Sequence, residues 1–316
     1  MRITSLRSLL DRQLITDKQF AVLESIYEKR IFSLYYELRA MLSVGVLLFS
    51  TGAGILVYLN IETIGHQAIL LLLTVLMGWC FWYSNNVRLP YSSHKVASPS
   101  LSYDYIIFLG CLLFTTIVSY LQFQYEVFGD RWEFSALLPA LVFFPLAYYF
   151  DHRGVLSLAI TGLASWLGLT VSPVKFLNQG IYSEYGLIMS GLGLGTILVL
   201  SGAVLDRREI KRHFTFTYYH FGAHLLFLSC LAGLILQHAE WVYFPLLSVL
   251  VTVGIWYAKR EQSFLMLLLA IGYGYVGLTY MVSKLDPSIG MWYWYLIVTG
   301  GAFIFVIFQY KKFFRR

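Results

Sequence analysis

His220 and His224 stand one helical turn apart in an apolar run, so their imidazoles share one face of a helix. Imidazole changes charge near neutral pH, and an ionisable group inside an apolar segment is a functional candidate by default. Counted at about 1.5 Å per residue from Phe214, His224 falls near the middle of its run. Two chemistries fit: a proton relay, or contact with a ligand in a cavity. The plainer alternative is a neutral imidazole hydrogen-bonded to a Ser, Thr or Tyr on a neighbouring helix. Haem does not fit, because two histidines on one turn cannot take opposite axial positions. A metal would need further ligands, and no other His, Asp or Glu falls at comparable depth. Neither a metal nor a cofactor is expected.

Ser190, Gly191 and Gly195 are the other candidate binding residues. The Gly191–Gly195 spacing makes a small-residue face on which two helices can approach closely. The sharper reading is a flexible helix that lines a path. Pro139 and Pro145 remove backbone donors from a neighbouring run and predict a bend there. The chain has no phosphate-binding loop, zinc-protease helix or serine-nucleophile elbow. The polar loops on the acidic side reach only about a dozen residues, too few for a catalytic domain. No enzymatic activity is expected.

The elements that position these residues follow from composition. Hydrophobic residues make up 58% of the 316 and charged residues 13%, with a mean hydropathy of +0.67. A soluble domain carries about 25% charge. These values exclude a soluble globular domain, a disordered chain and a disulfide scaffold. Cys80, Cys111 and Cys230 all sit in apolar runs and read as small packing residues. The N-terminus lacks the apolar stretch and small-residue cleavage site of a signal peptide.

About 20 apolar residues cross a bilayer as a helix. Ten such runs are present: 40–60, 64–84, 103–123, 132–150, 154–172, 184–205, 214–237, 240–258, 262–282 and 290–310. Asp151-His152-Arg153 and Lys259-Arg260-Glu261 break the two closest pairs. Holding such a turn in lipid would cost roughly 2.5–3.5 kcal/mol per central charge, so each turn belongs at an interface. Alternate loops then hold 20 of the 23 Lys and Arg on one side, leaving Arg131, Lys175 and Lys284 on the other. The excess of basic loops places that side, and both termini, in the cytoplasm. The net charge of +6 has this cause. Without a basic stripe interleaved with exposed aromatics, no nucleic-acid partner is expected. Trp241, Tyr243 and Trp292 to Tyr295 suit the opposite interface.

Ahead of the first run, residues 1–39 carry two helical stripes, Ile3, Leu6, Leu9 and Leu10, then Phe20, Leu23, Ile26, Tyr27, Ile31, Leu34 and Leu38. Thr16 and Gln19 between them have capping-box spacing. This predicts a cytosolic amphipathic helical hairpin, 1–39, before a transmembrane domain, 40–316. Its exposed stripes make it the expected contact for a second copy or a protein partner.

Leu6, Leu9 and Leu10, followed by Leu14-Ile15-Thr16-Asp17-Lys18-Gln19 and then at once by spans, resemble the bacterial membrane-protein family called domain of unknown function 2157. Arg12-Gln13 stands where that family's glycine is expected. The resemblance covers about 80 residues by motif, and the remainder by hydropathy. It implies a multispanning protein of the bacterial inner membrane and supplies no catalytic or binding residues.

Spans three to five also look like spans seven to nine. Each copy has a leading Trp and Glu, a proline (Pro139, Pro245), trailing aromatics with an Arg, and a Gly-Leu-Thr end. A shift of four helices keeps orientation, so this would be a parallel repeat. The expected fold is an all-α polytopic transmembrane bundle of about ten spans. Two functions remain open: a carrier of a small molecule or lipid, and a non-catalytic sensor, scaffold or assembly factor acting through residues 1–39. Membrane lipids are expected partners in both.

Overall fold

The computed structural model describes residues 16, 20, 35–171, 182–237, 239–285 and 289–308. Among the described residues there are ten α-helices and no strand. They are α1 Tyr35–Ile64, α2 His66–Val87, α3 Leu101–Tyr125, α4 Phe134–Phe150, α5 Arg153–Val171, α6 Tyr182–Arg208, α7 Thr215–Leu236, α8 Glu240–Glu261, α9 Phe264–Ser283 and α10 Ile289–Phe308. A 3₁₀ turn, Arg212–Phe214, leads into α7. Each apolar run of the sequence falls on one helix. Seven of the ten are long and apolar enough to cross a membrane, and α4 is a shorter apolar helix of 17 residues.

The helix ends have local causes. The Ser100 hydroxyl accepts from the Tyr103 N–H at 3.2 Å and caps α3, with Asp104 in the first turn where the helix dipole favours it. The Ser263 hydroxyl caps α9 in the same way through Met266. Glu126, Asp151 and Gln262 end α3, α4 and α8 with left-handed backbone, at φ 47°, 55° and 52°. The break between α8 and α9 is therefore Gln262-Ser263. Lys259-Arg260-Glu261, expected to be the turn, forms instead the last turn of α8. Basic residues suit that end of the dipole. Pro139 and Pro145 lie inside α4, which continues through both.

The chain divides into two compact units, Met1–Thr63 and Ile64–Arg316. In the first, the described helix is α1, whose 30 residues span roughly 45 Å at 1.5 Å each. Its Ser43, Ser50 and Thr51 hydroxyls donate to carbonyls one turn back. That pairing lets a polar side chain sit in an apolar helix with its hydrogen bond made. Thr16 is exposed, and its carbonyl accepts from the Phe20 N–H at 2.8 Å. Gln19 and most of the expected hairpin lie outside the described residues, as do residues 172–181, while residues 35–39 form the start of α1.

In the second unit, neighbours in sequence pack as pairs: α2 with α3, α4 with α5, α6 with α7, α8 with α9. The helices α3, α4 and α5 touch one another pairwise, and so do α7, α8 and α9. Phe143, Ile107, Leu156 and Phe214 centre one buried cluster. Phe227, Leu234 and Leu247 centre another. The α6–α7 contact is the closest. A Cβ at Gly195 would lie 2.8 Å from Leu226 and 3.0 Å from the Gly222 carbonyl, and a Cβ at Gly222 would meet the Gly195 carbonyl at 3.0 Å. Cys80, Cys111 and Cys230 are buried free thiols.

Candidate functional site

The residues singled out in the sequence do not converge. His224 is exposed on α7, and its Nδ1 lies 2.9 Å from the Tyr273 hydroxyl of α9, ring against ring at 5.5 Å. His220 is half-buried and stacks on Phe216 at 5.8 Å, with a buried Nδ1 that makes no hydrogen bond among the described residues. Gly191 is a close-packing position, since a Cβ there would collide with the Ser229 hydroxyl. Gly195 is another. The Ser190 hydroxyl donates to the Leu187 carbonyl at 2.9 Å.

Ser190 and Gly191 do border a crevice of about 460 Å³ between α5, α6 and α7. Its walls are apolar or small, among them Ala164, Gly168, Leu187, Leu194, Leu228 and Ala232. Leu187 and Leu228 are exposed, so the crevice opens on the surface of the bundle. A second apolar crevice, about 490 Å³, lies between α8, α9 and α10 near Val251 and Tyr275. Neither crevice includes a histidine.

Charge chemistry lies elsewhere, at the basic ends of the helices. Lys211, one of the cations that the sequence places in a loop on the basic side, is fully buried. Its Nζ is 3.0 Å from Asp151 Oδ2, donates to the His94 carbonyl at 3.4 Å and sits 4.8 Å from the Tyr91 ring. His213 Nε2 reaches Asp151 Oδ1 at 2.5 Å. Asp151 Oδ2 also accepts from the Val96 N–H at 2.5 Å, and the Lys211 N–H donates to the Ser93 carbonyl at 2.7 Å. The carboxylate at the end of α4 therefore pins both the 88–100 loop and the turn before α7. Lys211 and Asp151 both hold left-handed backbone, at φ 46° and 55°. Such a backbone is uncommon for Lys and persists where surrounding contacts over-determine it. Arg88 stacks on the Tyr149 ring at 4.0 Å and completes the fastening of the loop. Sequence reading missed this cluster because its members are about 60 residues apart. The only local signal was a run of Lys211, Arg212 and His213 directly ahead of an apolar helix.

Beside the cluster is a pocket of about 200 Å³ between the ends of α5, α6, α7 and α8. Arg153, Arg212 and Arg260 border it, with Tyr219, Trp256 and Tyr257 as aromatic walls. Arg212 pairs with Asp206 at 2.9 Å, and Arg260 lies 3.7 Å from Glu261. The His213 side chain is 7% exposed and Thr215 5%, and both line the pocket. His213 Nδ1 and Thr215 Oγ1 are buried and make no hydrogen bond among the described residues. A buried polar atom left so costs about 1–3 kcal/mol. No side chain caps α7; the 3₁₀ turn before it does so instead, its Arg212 carbonyl accepting from the Thr215 N–H.

At the opposite end of the bundle Lys284 pairs with Glu240 at 3.5 Å. Hydrogen bonding to Tyr280, and after it to Glu240, holds the Lys284 ammonium above the usual lysine range. Gln122, fully buried at the end of α3, accepts from the Phe128 N–H and donates to the Gly129 carbonyl, which fixes the following turn. Among the described residues no three His, Cys, Asp or Glu side chains converge as metal ligands would.

Sequence comparison gives the chain its kinship. Residues 7–156 match the family model of a predicted membrane protein, DUF2157. This bears out the resemblance carried by Leu6 to Gln19 and extends it through α4. The match ends just past the Asp151 turn, so the buried cluster joins Asp151 and the 88–100 loop inside the matched segment to Lys211 and His213 outside it. No curated protein and no solved structure matches the chain.

Proposed function

We propose that this membrane protein is a non-catalytic, lipid-binding protein of the bacterial inner membrane, with ten crossings and its basic helix ends in the cytoplasm. The crevice between α5, α6 and α7 carries this reading. Its volume of about 460 Å³ lies within the range of small-molecule sites, about 300–1,000 Å³, and its walls suit an acyl chain. Lipid is also the solvent at its mouth.

A carrier of a polar solute has less support. The Thr161, Ser190, Thr196 and Ser201 hydroxyls donate to carbonyls of their own helices, and His224 is taken by Tyr273. Few polar groups are left to replace the water a solute would shed. Association through residues 1–39 rests on the amphipathic stripes of the sequence and would accompany lipid binding.

The test is to fill the crevice. The full-length protein, exchanged into neutral detergent, should retain lipid in native mass spectrometry. Ala164→Phe should lose it while keeping the elution volume and helical signal of the wild type. A wild type that retains no lipid, or an Ala164→Phe variant that retains as much, defeats the proposal.

A further inference from the structure

The pocket between the ends of α5, α6, α7 and α8 joins three guanidinium groups to a buried hydroxyl that makes no hydrogen bond among the described residues. We infer that it is a binding site for a phosphoryl group. Arg212 and Arg260 are offset by Asp206 and Glu261, while no ion pair engages the Arg153 guanidinium among the described residues. One positive charge is thus unbalanced at the mouth. Deeper in, Oγ1 of Thr215 lacks a partner among the described residues. Thr215 follows directly on the 3₁₀ turn that begins at Arg212, near the positive end of the helix dipole. Hydroxyl and guanidinium groups together are donors that a tetrahedral oxyanion satisfies.

The size of the pocket narrows the ligand. At about 200 Å³ it is smaller than a drug-sized site, so it takes a headgroup or a small phosphate. Tyr219 and Trp256 give it the amphipathic walls found where helices meet lipid headgroups. Either a phospholipid headgroup or a soluble phosphate supplies the required chemistry. The pocket shares no lining residue with the apolar crevice, so this inference does not depend on the crevice holding lipid.

The experiment uses full-length, delipidated protein in neutral detergent and follows its melting temperature. Four probes are titrated: inorganic phosphate, chloride at equal ionic strength, phosphatidylglycerol, and diacylglycerol of the same chains. Phosphate or phosphatidylglycerol should raise the melting temperature beyond its control. Arg153→Gln and Thr215→Val should each weaken that response about tenfold, the loss of one charge-assisted hydrogen bond. Lys259→Gln, a basic neighbour outside the pocket, should respond as the wild type does. A shift with inorganic phosphate identifies a soluble ligand. A shift only with phosphatidylglycerol identifies a lipid headgroup. The Ala164→Phe variant should retain the phosphoryl response even where it loses crevice lipid. No shift with either phosphoryl probe beyond its control overturns the inference. So does an equal loss in Arg153→Gln and Lys259→Gln.

Discussion

Two sets of polar side chains in this protein behave in opposite ways. His220 and His224, part-way along α7, are one turn apart on one helix, yet one stacks on Phe216 and the other bonds Tyr273 from an exposed position. Asp151, Lys211 and His213, at the ends of α4 and α7, are distant in sequence yet meet within hydrogen-bonding distance while almost wholly buried. Proximity in sequence gave the histidines a shared face but no shared site. Packing of the ends of α4 and α7 with one loop made a charged site where sequence gave none. A buried charge must be paired, and its pair can come from any part of the chain that reaches it. A histidine on the surface of a bundle needs only one neighbour.

This contrast predicts a ranking of effects. Lys211→Met should be the most damaging, because it leaves Asp151 buried beside one fewer cation. The expected loss is about 3–5 kcal/mol in denaturant unfolding of the detergent-solubilised protein. The double variant Asp151→Leu with Lys211→Met should recover much of that loss, since an apolar pair removes the uncompensated charge. A single variant as stable as the wild type would erase the difference between the two regions.

Next comes the α6–α7 contact that separates them. Gly195→Ala should cost about 1–3 kcal/mol, because the added methyl meets a side chain at 2.8 Å and the Gly222 carbonyl at 3.0 Å. Thermal melts of the purified variant measure it. Tyr273→Phe should cost less, about 0.5–1.5 kcal/mol, the worth of one hydrogen bond. If Tyr273→Phe proves as costly as Lys211→Met, the histidine region is a buried network and the comparison is wrong. Thr161→Val should be the mildest, within about 0.5 kcal/mol of wild type, because its hydroxyl is exposed and bonds only its own helix. A larger loss would place Thr161 in a contact between helices.

The ten helices were legible from sequence because an apolar run is local. A run of about 20 apolar residues specifies a lipid-length helix whatever its neighbours do. Ser100 and Ser263 cap their helices through bonds that close within three residues. The basic bias of alternate loops was equally plain, although it counted Lys211 as one loop cation among many. Only the tertiary structure decided which of these charges is solvated. Lys211 is buried because the 88–100 loop folds over it and Asp151 rises to meet it from α4. Likewise, only the tertiary structure showed Gly195 facing Gly222, against alternative partners on the eight other described helices. Hydropathy and capping depend on residues a few positions apart. Ion pairing and close packing depend on helices that meet only after the chain has folded back on itself.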